Sequence, residues 1–243
     1  MKPQTRSLRA ALLEGLVIVV SILVAFGLDA TWARYGEAQA ERDILRSLHD
    51  EFEDARSRIE GAIAEAHSSL AATAKLMDHL GPSPPELSSD SAEALVVAIL
   101  DVNTLEVPAG ALNSLLASGE LRLVRSDSLR AALARWPALV ADVRENYDWQ
   151  RQTTDGVFIP HIAPYISVRS ALSRLAFTDW GPSDFDLDPA LLQRDPVFEG
   201  LLTLGAARQQ AGLVESEVLL KACREMLALI ELELGGNASQ DQL

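Results

Sequence analysis

Four polar residues stand where a helical pattern calls for apolar ones. Gln150 and Thr154 lie on the inward stripe of one long helical segment, and Gln209 and Ser216 lie on that of another. Amides and hydroxyls that meet between helices form a buried polar layer, which either lines a ligand cavity or sets helix register. These four are the candidate ligand-binding residues. Asp184, Asp186 and Asp188 alternate like the start of a calcium loop. Pro189 replaces the Gly such a loop needs, and Asp195 replaces the final Glu, so a solvated acidic turn is expected. The histidines at 49, 67, 79 and 161 form no HxxxH or HExxH pair, and no metal or cofactor is expected. Cys223 is the single cysteine and falls among Leu220, Leu227 and Ile230, which reads as an inert buried thiol. A lone cysteine also excludes an internal disulfide framework. No P-loop, dinucleotide fingerprint or nucleophile elbow occurs, and no catalytic residue is singled out.

The elements that carry these residues begin with a nearly unbroken apolar run from Ala10 to Leu28. A helix over it nearly crosses a hydrocarbon core of roughly 30 Å. Its one charge, Glu14, sits near the start, where a carboxylate reaches headgroups or contacts a partner helix in the membrane. Trp32 and Tyr35 follow at the position of an interfacial belt. The alternative is a cleaved signal peptide. No clear small-x-small site follows Leu28, and Asp29-Ala30-Thr31-Trp32 reads as continuing helix, so an uncleaved anchor is expected. Lys2, Arg6 and Arg9 precede the span without an acid, which favours a cytoplasmic N-terminus and an exported remainder.

The chain has 243 residues and a net charge of -14. Lys2, Arg6, Arg9 and Glu14 leave the first 28 residues at +2, so the rest carries -16. So acidic a domain repels nucleic acid and the anionic face of a bilayer.

Beyond the span the periodicity is helical almost throughout. A helix from Glu37 to Leu80 carries the seam Leu45, Leu48, Phe52, Ala55, Ile59, Ala62 and Ala66, and it continues the membrane helix without a loop. Gly81 to Pro85 stops it. Shorter helices are expected over Ser91–Leu105 and from Pro108 to Ser118, with Gly119 as the left-handed stop, followed by an extended or irregular link over Glu120–Val124. Asp127 is expected to cap a second long helix with the seam Leu129, Leu133, Trp136, Val140, Val143 and Tyr147, running on through Gln150, Thr154 and Val157. Pro137 predicts a kink or break inside it. A helix over Ser167–Phe177 and a loop over Asp179–Asp188 follow. The last helix, Pro196 to Leu234, carries the seam Leu202 to Leu234 and is expected to stop at Gly235-Gly236.

The expected fold is all-α: an N-terminal transmembrane helix continuous with an elongated antiparallel helical bundle. The divisions are a basic tail (1–9), a transmembrane helix (10–32), an elongated soluble domain (33–235) and a disordered tail (236–243).

The run E-G-L-V-I-V-V-S-I-L-V-A-F-G-L-D-A-T-W, from Glu14 to Trp32, resembles the N-termini of the DUF6090 family. Leu115-Leu116-Ala117-Ser118-Gly119-Glu120-Leu121 before a long helix is similar to that family's L-x-x-S-G-x-L segment. The resemblance implies a bacterial single-pass membrane protein of helical architecture and transfers no catalytic residue. Together these features lead to the expectation of a non-enzymatic interaction, scaffold or sensory accessory subunit in the inner membrane. With nine residues before the span, a cytoplasmic output would need a membrane-protein partner or a homo-oligomer; nucleic acid is not expected. The rival expectation is a membrane-anchored metal-dependent hydrolase built from acidic side chains.

Overall fold

The computed structural model describes residues 8–100, 105–174, 179–181 and 183–240; the side chains of 8–15, 89, 93, 100, 171, 174 and 236–240 lie outside that description. Helix α1 runs without interruption over Leu8–Met77, 70 residues and about 105 Å at 1.5 Å per residue. It has two unlike halves. Every described residue from Leu16 to Glu37 is exposed, and within it an 18-residue stretch of mean hydropathy 2.2 has none of its residues buried. One helix is therefore long and apolar enough to cross a membrane. The hydroxyls in this half bond back to the helix: Ser21 donates to the Val17 carbonyl at 2.8 Å and Thr31 to the Gly27 carbonyl at 2.6 Å. Such bonds satisfy polar groups without water. Glu14, the expected membrane-helix contact, lies outside the described side chains.

In the second half Leu45, Leu48, Phe52, Ala55 and Ile59 are fully buried. Burying a large side chain of this kind contributes about 1.5–3 kcal/mol. The spacing selects them because positions three and four apart share one helix face. Their partners are α4 (Asp127–Thr153) and α7 (Pro196–Gln240). Phe52 meets Trp136 of α4 edge to face, with ring centres 4.9 Å apart. Cys223 of α7 donates to the Phe52 carbonyl at 3.3 Å. The order of pairs gives the directions. Glu41 and Phe52 face Arg125 and Trp136 in turn, so α4 runs parallel to α1. Glu60 faces Arg224 while Ser69 faces Gln209, so α7 is antiparallel to α1.

Shorter elements close the ends: α2 (Ser89–Leu100), α3 (Gly110–Ser118), α5 (Ile159–Ile162) and α6 (Val168–Arg174). At the end away from the apolar span, the Gln193 side-chain amide donates to the carbonyls of His79 and Pro85, and the Gln193 backbone carbonyl accepts the Gly81 N–H at 2.8 Å. Gly81 holds φ at +134°, which favours glycine. Among the described residues there is no strand, and the chain is all-α.

Several expected boundaries differ. Where an extended or irregular link was expected, Glu120–Leu123 forms a 3-10 turn. Ser126, not Asp127, caps α4: its side chain accepts the Leu129 N–H, and Asp127 enters the first turn. Helix α4 passes through Pro137 without ending, because apolar packing on both sides outweighs one lost backbone bond. Helix α7 continues past Gly235-Gly236 to Gln240; glycine costs a helix only about 1 kcal/mol and no proline follows. The ends expected at Leu105 and Phe177 fall beyond residues 100 and 174, with 101–104 and 175–178 outside the described residues.

Candidate functional site

Two apolar cores hold the bundle. One joins Leu45–Ile59, Leu129–Val143 and Leu219–Ile230. The other joins Leu76, Val96, Phe158, Ile162 and Phe198 at the far end. Between them lies a polar layer drawn from all three long helices. Helix α1 supplies Ser69 and Thr73, both buried. Helix α4 supplies Asn146 and Gln150, and α7 supplies Gln209, Glu215 and Ser216. Ser69 donates to the Gln209 amide oxygen at 3.4 Å, Thr73 to the Ser69 carbonyl at 3.0 Å, and the Asn146 amide to the Glu215 carboxylate.

Three of the four expected ligand-binding residues come together here. Gln150, Thr154 and Gln209 line one cleft with Thr73, Trp149 and Phe158. The cleft holds about 40 Å³, room for a few waters at roughly 10–15 Å³ each. Gln150 and Gln209 also line a second cleft beside Glu65 and Asn146. Ser216 does not reach either cleft. It is 1 % exposed, and its hydroxyl donates to the Gly212 carbonyl at 2.8 Å. Its hydroxyl also neighbours the Tyr147 phenol of α4. Burial pushes that phenol above its ordinary pKa, Ser216 opposes the shift, and Glu65 adds to it. Ser216 therefore lies between α4 and α7 behind the clefts.

The cleft owes its shape to a π-turn over Thr154–Phe158, which inserts one residue between α4 and α5. The inward stripe was expected to continue at Val157. Val157 is instead 44 % exposed and Phe158 is buried, so the extra residue advances the stripe by one position. Phe158 then lies over Gly205, where a Cβ would stand 3.5 Å from its ring. Arg208 covers the Trp149 ring at 4.9 Å.

The other sequence candidates separate. Asp184, Asp186 and Asp188 are exposed, and Asp188 caps the 3-10 turn Pro189–Arg194 through the Ala190 N–H at 3.0 Å. Asp195 caps α7 through Val197 and Phe198 and meets His161 Nε2 at 2.9 Å. Burial alone would raise the Asp195 pKa, but those two N–H groups and His161 hold it below the ordinary value. Cys223 is fully buried, and burial pushes its thiol up to about 12.

Sequence reading missed two carboxylates of α1. Glu41 is 1 % exposed. Its Oε1 accepts the Arg125 N–H at 2.7 Å, and its Oε2 lies 3.1 Å from Arg125 Nε as an ion pair without a well-aimed hydrogen bond. Glu51 accepts the N–H groups of Ala111 and Leu112. The only signal was their place beside the apolar seam. Against family models, curated proteins and solved structures, the chain has no significant match.

Proposed function

We propose that this chain is a single-pass membrane-anchored interaction or sensory subunit without catalytic activity of its own. In this reading, binding of a partner or small ligand at the bundle alters helix packing and is transmitted along α1. The observation that carries it is the continuity of α1: the helix with the exposed apolar half also supplies five fully buried core residues. A continuous helix transmits displacement, and a flexible linker does not. The polar layer is where such a change would begin. Polar contacts of a few tenths to about 1.5 kcal/mol each are more easily rearranged than apolar cores. The cleft volume suits a small polar ligand that replaces bound waters.

The distribution of Lys2, Arg6 and Arg9 supports a cytoplasmic N-terminus in a bacterial inner membrane, with the bundle exported. The resemblance of Glu14–Trp32 and Leu115–Leu121 to the DUF6090 family supports the same placement. The partner is another membrane protein or a second copy of this chain.

Crosslinking of the full chain in its native membrane, read by mass spectrometry, identifies what it touches. The coupling is tested by inserting Gly-Gly-Pro after Tyr35. The expected result is that partner capture survives while the partner's response is lost. An unchanged response would remove the proposal.

A further inference from the structure

At the end of the bundle nearest the apolar span, α1 and α7 bring together a group that neither helix holds alone. His49 and Glu53 are four apart on α1 and so share a face. Glu231 of the antiparallel α7 faces them. One donor atom from each residue lies within 4.8 Å of the other two, and among the described residues this is the one such group of His, Cys, Asp or Glu. His49 Nε2 stands 3.7 Å from Glu231 Oε1.

We propose that His49, Glu53 and Glu231 bind a divalent transition-metal ion of the zinc type, which ties α7 to α1. One imidazole nitrogen and two carboxylate oxygens are a donor set that zinc accepts, with water completing a tetrahedron. Metal bonds of about 2.1 Å place donors about 3.4 Å apart. The donors stand within 4.8 Å of one another, so binding would draw the three side chains closer together. The second imidazole nitrogen is also provided for. His49 Nδ1 lies 3.7 Å from Asp50 Oδ1, close enough for that carboxylate to take up the Nδ1 proton by a small approach when Nε2 binds an ion.

One neighbouring cation, Arg56, already holds an oxygen of the group. Arg46 pairs with Asp43 at 3.0 Å. Arg56 takes Glu53 Oε2 at 2.6 Å, which leaves Oε1 for the ion. His49, Asp50 and Glu231 line an open crevice with Arg46 and Leu234, giving a hydrated cation a path from solvent. The excess of acids across the chain raises the local cation concentration. A zinc ion here would hold the last turns of α7 against α1 and stiffen the bundle where it joins the apolar half. This inference does not depend on the membrane placement or on the polar layer.

The test uses the full chain in detergent micelles, purified without a histidine tag and freed of metal. Zn²⁺ binding is followed by calorimetry, and Co²⁺ binding by its visible absorption bands. The expected result is one ion per chain, with affinity reduced about tenfold or more in His49→Ala and in Glu231→Gln. Glu231→Gln preserves side-chain size at an exposed position, and its helical circular dichroism reports that it folds. His67→Ala, on an exposed part of α1, should bind as the unaltered chain does. The proposal is overturned if no saturable binding occurs, or if His49→Ala and Glu231→Gln retain the affinity of the unaltered chain.

Discussion

Glu51 caps Ala111 from 60 residues away: its Oε2 accepts the Ala111 N–H at 2.6 Å while its Oε1 accepts the Leu112 N–H at 3.0 Å. Helix α3 has no cap of its own, since Ala109 stands at its N-cap. A carboxylate of α1 supplies the missing acceptor and adds a favourable charge at the positive helix end. Ten residues earlier, Glu41 does the same for the chain entering α4. The long helix therefore positions the α3–α4 segment through two carboxylates as well as through apolar contact.

Glu51→Ala should destabilise the fold by about 1–3 kcal/mol, because two N–H groups lose a charged acceptor. Glu51→Gln, which keeps one acceptor oxygen, should lose less. Denaturant unfolding of the full chain measures both, and equal stability of Glu51→Ala and the unaltered chain would contradict the capping role.

The π-turn makes a prediction about chain length. If Thr154–Phe158 contains one inserted residue, removing Val157 restores a regular helix and leaves Phe158 on the inward stripe. That deletion should cost less than about 1 kcal/mol. Deleting Ala141, equally exposed but in regular helix, rotates everything after it by about 100° and should cost several kcal/mol. Similar losses in the two deletions would show that the π-turn is not an insertion.

Cys223 should resist thiol reagents in the folded chain. A pKa raised to about 12, against an ordinary value near 8.5, lowers the thiolate fraction by about a thousandfold at pH 8. Labelling should therefore follow unfolding, and denaturant that unfolds the bundle should restore ordinary reactivity. Rapid modification of the native protein would contradict its burial.

Acid should loosen the start of α7. The Asp195 pKa is lowered in the folded state, so its carboxylate contributes stability above its unfolded value of about 3.9 and loses that contribution as pH falls through the folded value. The difference in melting temperature between the unaltered chain and Asp195→Asn should hold steady above about pH 5 and shrink below pH 4. A difference that persists undiminished at pH 2 would assign Asp195 a purely steric role.

The sequence by itself determined which segments are helical and which faces they bury. Leu45 to Ile59, and Leu213, Cys223, Leu227 and Ile230 of α7, could be read because helix periodicity is local: hydrogen bonds between residues four apart fix which side chains share a face; between them α7 buries Leu219 where the pattern named Leu220. The apolar half of α1 was legible for the same reason, since length and composition alone decide whether a helix can cross a membrane. Gln150, Thr154 and Gln209 could be named as polar interruptions, but their meeting in one cleft depends on how far α4 slides along α7. That offset is set by packing. The shift from Val157 to Phe158 is likewise tertiary, because an inserted residue costs little locally and is tolerated where the far core, anchored by Phe158 and Ile162, rewards it. The Glu51–Ala111 cap and the His49–Glu53–Glu231 group lie furthest from sequence reading. Each joins residues separated by 60 or more positions, and only the axial alignment of long helices brings the first into a hydrogen bond and the second within 4.8 Å.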